Sequence, residues 1–138
     1  MKRLIGLLAL SIALPALAAL DAGDTAPDFK APASLDGKVF EFSLKESLAK
    51  GPVVVYFYPS AFTGGCSLQA HTFAVNYDKV TAAGASIIGV SLDNIERLNA
   101  FSADPEYCAG KAAVASDVDG KTAGSYDLKI ASAPEGAK

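Results

Sequence analysis

Residues 53–66 read VVVYFYPSAFTGGC, and they join an apolar run to a cysteine. The run from Val53 to Tyr58 is continuous and consists of β-branched and aromatic residues, which predicts a strand covered on both faces. Pro59 ends the run, a loop of small residues follows, and Cys66 stands where a helix is expected to begin. The segment therefore predicts the strand, loop and helix of an α/β unit.

The segments on either side continue the α/β pattern. Asp36-Gly37 separates two short runs of strand-like residues and predicts a β-hairpin. Ser43 begins the capping box of a short helix, and Gly84 is expected to end the long helix that follows Cys66. Further strands and helices are predicted at Ser86–Ser91, Asn94–Phe101, Ala113–Ala115 and Thr122–Asp127. This order predicts an α/β fold with a mostly parallel central sheet, flanking helices and a functional crevice beyond the carboxyl ends of the strands.

The first eighteen residues are typical of a secretory signal peptide. Lys2 and Arg3 precede an apolar stretch, and Ala16 and Ala18 place small residues where a signal peptidase reads them. The alternative is a membrane anchor, although the apolar stretch is shorter than the roughly 20 residues of a membrane span. We therefore expect a signal peptide over residues 1–18, export to a periplasmic or secreted location, no stable membrane association, and one domain over residues 19–138.

Charge and composition narrow the classes of function. The formal net charge is −3 and becomes −5 when Lys2 and Arg3 are removed, and no run of basic residues is present. Nucleic acid is therefore not expected as a partner. The chain has two cysteines, Cys66 and Cys108, and a single histidine, His71. The missing C-x-x-C pair disfavours a dithiol exchange protein, and no metal site is expected.

Cys66 is the candidate nucleophile. At the start of a helix, unpaired N–H groups and the positive end of the helix dipole favour an anion, and the thiolate is the nucleophilic form of cysteine. The alternative is a buried inert thiol, which is a common state for free cysteine. His71 lies about 140° around the helix from Cys66, so it is not expected to act as a base for that thiol.

The pattern Pro59-x-x-x-Thr63-x-x-Cys66 matches the active-site motif of the peroxiredoxins, and shorter matches lie at residues 23–29, 91–93 and 116–120. The chain therefore resembles the peroxiredoxins, most closely those of the bacterioferritin-comigratory or Q type. The resemblance implies a thioredoxin-like fold and a thiol peroxidase that reduces hydrogen peroxide or organic hydroperoxides without a cofactor. It also implies a thioredoxin-like or other dithiol reductant, and a monomer or homodimer.

The same resemblance assigns roles to individual residues. Cys66 would attack the peroxide and become a sulfenic acid. Thr63 would accept a hydrogen bond from the peroxide and donate one to the sulfur, and Pro59 would cover the thiolate. The backbone N–H groups of Gly65 and Cys66 would bind the substrate, since glycine allows a close approach. Cys108 is the candidate resolving thiol, and the alternative is a structural thiol.

Two features depart from the family pattern. Peroxiredoxins carry an active-site arginine on a later strand, whereas Arg97, the only arginine after the signal peptide, lies in a predicted helix. It is interpreted as a solvated helix charge. Residues 131–136 have the composition of a loop, so the sequence is interpreted as C-terminally truncated. An alternative function is therefore a non-catalytic thioredoxin-fold fragment that lacks the arginine.

Overall fold

The computed structural model of the chain describes residues 19–128, which form a five-stranded sheet with helices on both faces. The strands are β1 (Lys30–Leu35), β2 (Lys38–Ser43), β3 (Val53–Phe57), β4 (Ser86–Ser91) and β5 (Ala113–Ser116). The helices are α1 (Leu44–Leu48), α2 (Gly64–Ala82), α3 (Ile95–Ala103) and α4 (Lys121–Ser125). The predicted signal peptide and the segment interpreted as truncated lie outside the described residues.

The strand order in the sheet is β2-β1-β5-β4-β3. Strands β3, β4 and β5 run parallel, while β1 is antiparallel to both β5 and β2. The predicted α/β fold with an N-terminal hairpin is confirmed, and the sheet is mixed because the hairpin adds two antiparallel pairings. The carboxyl ends of β3 and β4 lie at the same edge, where Pro59 and Asp93 follow.

Local sequence signals set the turns and the ends of the helices. Asp36 and Gly37 both adopt the left-handed conformation, at φ 51° and 70°, as a two-residue hairpin turn requires. The Ser43 side chain accepts a hydrogen bond from the Glu46 N–H at 3.4 Å, which caps α1. Gly84, at φ 79°, follows the last turn of α2. These three predictions are confirmed.

Two core clusters lie on opposite faces of the sheet because successive strand residues point to opposite sides. The first core, against α2 and α3, contains Tyr56, Tyr58, Ala61, Ala70, Ile87, Leu98, Phe101, Cys108, Ala112 and Val114. The second core contains Phe29, Ala31, Ala33, Phe42, Leu44, Ile88, Val90 and Ala115. Strand β4 supplies Ile87 to the first core and Ile88 and Val90 to the second, so it is covered on both faces.

Strand β3 differs from its prediction. Among residues 19–128 it pairs with β4 alone and forms the edge of the sheet. Val54 is 38% exposed, and Val53, Val55 and Phe57 are half-buried. A continuous β-branched run predicts a strand, but it does not specify which strand lies at the edge, since that depends on pairings distant in sequence.

Gly89 faces the ring of Tyr56 across the pairing of β3 with β4. A Cβ atom on Gly89 would lie 2.6 Å from both Cζ and Oη of Tyr56. The ring has little freedom to move away, because it stacks on Phe73 at 4.5 Å and on Tyr58 at 5.6 Å between centroids. The absence of a side chain at residue 89 is therefore a packing requirement.

We predict that Gly89→Ala lowers the free energy of unfolding by about 1–3 kcal/mol, because the added methyl group overpacks the first core. Urea denaturation at neutral pH measures this. Gly64→Ala is the matched control, since a Cβ at Gly64 meets nothing within 4 Å. Equal stability of the two variants would contradict the close contact with Tyr56.

Candidate active site

A short loop, residues 58–63, connects β3 to α2. Phe62 in this loop has a left-handed backbone at φ 62°, a conformation that costs a bulky residue about 1–3 kcal/mol. Thr63 is the N-cap of α2 and Gly64 is its first residue, so Cys66 is the third residue of the helix. The helix thus begins slightly earlier than the sequence predicts, and Cys66 lies within its first turn.

The first turn of α2 is suited to binding an anion. The N–H groups of Gly64, Gly65 and Cys66 precede the first intrahelical bond, in which Ser67 N–H donates to Thr63 carbonyl at 2.8 Å. The turn contains no acidic side chain, and the Thr63 hydroxyl donates to the Ser60 carbonyl at 2.8 Å instead of capping the helix. The local dipoles and N–H groups therefore favour negative charge near the sulfur.

Solvent can reach this region. Cys66 and Thr63 are half-buried, while Pro59 and Gly65 are exposed. The covering role predicted for Pro59 and the substrate contacts predicted for Gly65 stay predictions. His71 is exposed, whereas Cys66 packs partly against the first core, as their angular separation on α2 predicts.

Asp93, two residues after β4, fastens the loop that precedes Cys66. Its side chain is fully buried. Oδ2 accepts hydrogen bonds from the Ala61 N–H and the Ser91 hydroxyl, both at 2.7 Å, and Oδ1 accepts one from the Ser60 hydroxyl at 3.2 Å. Because a buried carboxylate is costly unless it is bonded and paired, these contacts fix the relative positions of the loop and the strand.

The interpretation of Arg97 as a solvated charge is wrong. Its side chain is only 28% exposed, and Nε lies 3.1 Å from Asp93 Oδ1, an ion pair in which the N–H is not aligned for a hydrogen bond. Nη2 donates to the Ala61 carbonyl at 2.9 Å, and Cζ lies 5.1 Å from the ring centroid of Phe62. The sequence places Arg97 on a helix, but only the packing of α3 against the loop reveals these contacts.

The shared motif at residues 116–120 has a structural role beside Asp93. The Ser116 hydroxyl donates to the Asp93 carbonyl at 2.7 Å, which ties the end of β5 to the same region. Asp117 accepts from the N–H groups of Thr122 and Ala123 and so caps α4. Sequence reasoning quoted these residues without a role, although aspartates that directly follow strands are a recognisable signal of capping and loop anchoring.

Cys108 lies in a different environment from Cys66. It is a fully buried member of the first core. Burial, with a smaller contribution from the charge of Asp104, raises the pKa of Cys108 to about 12. Both cysteines are free thiols. At neutral pH Cys108 is therefore a protonated core thiol in this conformation.

Tyr56 lies in the first core, against which Cys66 also packs. Its hydroxyl has no hydrogen-bond partner among the described residues. Burial, and then the proximity of Cys108 and Cys66, raises the pKa of Tyr56. The phenol therefore remains protonated and is a free hydrogen-bond donor in the region of the two thiols.

Residues 19–128 contain no cluster of three or more His, Cys, Asp or Glu side chains arranged to hold a metal ion. In the same range, no helix is both long enough and apolar enough to cross a membrane.

A comparison with protein-family models finds a match to the AhpC/TSA family over residues 22–136. The chain belongs to this family. The predicted resemblance to peroxiredoxins is confirmed by this match.

Relatives of the bacterioferritin-comigratory and Q types are among the similar proteins. The chain is 40% identical over 83 residues to Peroxiredoxin Bcp of Escherichia coli K12, covering 60% of this chain and 51% of that protein. It is 37% identical over 107 residues to a putative peroxiredoxin bcp of Helicobacter pylori J99, covering 78% and 66%. The chain thus spans between half and two thirds of the length of these relatives.

Solved structures agree with the fold. BcpB of Mycobacterium tuberculosis superposes with a TM-score of 0.68 at 30% identity, covering 80% of this chain and 68% of the other. The reduced 2-Cys peroxiredoxin of Plasmodium vivax gives a TM-score of 0.71 at 24% identity, covering 79% and 70%, a likeness of fold alone. The thioredoxin-like fold is confirmed.

We predict that the buried thiol of Cys108 makes stability fall in alkali. Its pKa is raised from an ordinary 9.0 to about 12, so its contribution is intact below pH 9 and is lost as pH rises towards 12. Between pH 8 and pH 10, Cys108→Ala should therefore lose about 1 kcal/mol less unfolding free energy than the unsubstituted protein. Urea denaturation at both pH values measures this, and equal losses would contradict the burial of the thiol.

Proposed function

We propose that the chain is a thiol peroxidase that reduces hydrogen peroxide or organic hydroperoxides through Cys66. The observation that carries this proposal is a half-buried thiol in the first turn of α2, held behind an anchored loop in a member of the AhpC/TSA family. A helix N-terminus favours the thiolate, which is the form that attacks an O–O bond.

In the proposed first step, Cys66 is oxidised by two electrons and the peroxide is reduced. The Cys66 thiolate attacks one peroxide oxygen, so that an S–O bond forms and the O–O bond breaks. The departing oxygen takes a proton and leaves as water or an alcohol, while Cys66 becomes a sulfenic acid. The N–H groups of Gly65 and Cys66 would stabilise charge that develops on the peroxide oxygens.

Thr63 supports this step through its hydroxyl oxygen. Because its proton is donated to the Ser60 carbonyl, the oxygen can accept a hydrogen bond from the peroxide. The predicted donation from Thr63 to the sulfur requires the hydroxyl to rotate away from Ser60. In this proposal, Thr63 therefore acts first as an acceptor that orients the substrate.

Cys108 is the proposed resolving thiol. Its sulfur would displace the sulfenic hydroxyl of Cys66 as water and form a disulfide. Cys108 is fully buried and its raised pKa keeps the thiol protonated, so this step also needs a group or a local opening that removes the proton. The alternative is that Cys108 has a structural role as a thiol of the first core.

A thioredoxin-like or other dithiol protein would then reduce the disulfide and return both thiols. No organic cofactor enters any step. The signal-peptide pattern of residues 1–18 supports export to the periplasm or the exterior. Mass spectrometry of the protein from the exported fraction tests this, because a mature N-terminus at residue 19 is expected.

We predict that hydrogen peroxide oxidises Cys66 at least about 100-fold faster than it oxidises free cysteine, because the helix end and the loop stabilise the transition state. Stopped-flow measurement under single-turnover conditions gives the rate. Cys66→Ser should abolish the reaction, whereas Cys108→Ser should keep its first step. A rate equal to that of free cysteine would leave the alternative, a non-catalytic thioredoxin-fold fragment.

The resolving role has a separate test. After one equivalent of peroxide, we expect mass spectrometry to find a disulfide between Cys66 and Cys108, and Cys108→Ser to accumulate a Cys66 sulfenic acid that dimedone traps. Trapping of the same amount of sulfenic acid in the unsubstituted protein would assign Cys108 to the core alone.

A further inference from the structure

We propose that Arg97 positions the loop that connects β3 to α2: it holds Phe62 in its left-handed conformation and thereby sets where α2, and with it Cys66, begins. The effect of Arg97 on peroxide oxidation rests on the proposed function. The contacts of Arg97 with the loop do not depend on that function. Arg97 is a positioning residue, since it acts through the backbone of the loop.

The guanidinium group of Arg97 contacts both the Asp93 carboxylate and the backbone of the loop that Asp93 holds. One nitrogen, Nε, pairs with the Asp93 carboxylate at 3.1 Å, and another, Nη2, donates to the Ala61 carbonyl at 2.9 Å. Asp93 in turn accepts from the Ala61 N–H. Both polar groups of the Ala61 backbone are therefore held by one ion pair.

The aromatic ring of Phe62 is held on several sides. Arg97 covers it at 5.1 Å, and Phe101 and Tyr107 meet it edge-on at 5.1 and 5.3 Å between centroids. Phe62 has a positive φ and directly precedes Thr63, the N-cap of α2. Its backbone direction therefore decides the orientation of the first helical turn, and a residue in this conformation persists only when its surroundings enforce it.

Geometry, and not charge, is the means by which Arg97 acts. The Asp93 carboxylate neutralises the guanidinium, so the pair presents little net charge to the loop. A planar fork that reaches Asp93, Ala61 and the face of an aromatic ring at once is specific to arginine. Lysine would keep the charge but could not make all three contacts.

An electrostatic role and a positioning role of Arg97 predict opposite changes in the oxidation rate of Cys66 for Asp93→Asn. If Arg97 acted by its charge on the Cys66 thiolate, Arg97→Gln would slow oxidation and Asp93→Asn, which frees that charge, would accelerate it. If Arg97 positions the loop, both substitutions release Ala61 and both slow oxidation. The comparison of these two variants therefore separates positioning from electrostatics.

The test measures single-turnover oxidation of Cys66 by hydrogen peroxide, with alkylation by iodoacetamide at high pH as a second readout. We expect Arg97→Gln and Asp93→Asn each to slow oxidation by about 10- to 100-fold, since small displacements of reacting groups have effects of this size. Alkylation, which needs no oriented substrate, should change much less. Arg97→Lys should be slowed as well, and Glu96→Gln, at an exposed charge on the same helix, should match the unsubstituted protein.

The result that would overturn the proposal is a folded Arg97→Gln protein with an unchanged rate, or opposite effects of Arg97→Gln and Asp93→Asn. Where Asp93→Asn fails to fold, Phe62→Leu takes its place, because it removes the ring that Arg97 covers and should slow oxidation too. An unchanged rate in a folded Phe62→Leu protein would also overturn it.

Hydrogen exchange keeps this proposal distinct from the proposed function. Arg97→Gln should accelerate exchange of the Ser67 amide, which donates the first bond of α2 to Thr63, and leave the later turns unchanged. If the exchange rate of the Ser67 amide is unchanged in Arg97→Gln, the positioning role is refuted, even when the enzyme is active. If hydrogen peroxide oxidises the unsubstituted protein no faster than free cysteine, the proposed peroxidase function is refuted instead.

Discussion

The buried carboxylate of Asp93 is the constraint on which the candidate site depends. It has no exposed surface, and it receives hydrogen bonds from Ser60, Ala61 and Ser91 besides its ion pair with Arg97. A charge in such surroundings is tolerated only when nearly all its hydrogen-bonding capacity is used. The end of β4, the loop that follows β3 and helix α3 therefore share a single anchor, and the loop leads directly to Cys66.

The two cysteines illustrate how the same fold gives one residue type two different chemistries. Cys66 is half-buried beside the free N–H groups of a helix start, a setting that favours an anion. Cys108 is enclosed in the first core, where burial raises its pKa and keeps it protonated. A peroxidase cycle that uses both thiols would therefore join a half-buried thiol at a helix start to a fully buried core thiol.

Features fixed by neighbouring residues could be predicted from the sequence, and features fixed by distant contacts could not. Asp36-Gly37 specifies a hairpin turn and Ser43 a helix cap, because each acts on its own backbone. The position of Cys66 in the first turn of α2 follows from the motif in the same way. The edge position of β3 and the contacts of Arg97 depend on pairings across the fold. Asp93 was visible only as part of a family motif, since its burial is a tertiary property.

The measurement that tests this account most directly is hydrogen exchange at the Ala61 amide, which donates to Asp93 Oδ2 at 2.7 Å. The account predicts that this loop amide is protected like the amides of β4, and that Asp93→Asn accelerates its exchange by about tenfold or more while β4 stays protected. An Ala61 amide that exchanges in the unsubstituted protein as fast as an exposed loop would show that the carboxylate does not anchor the loop.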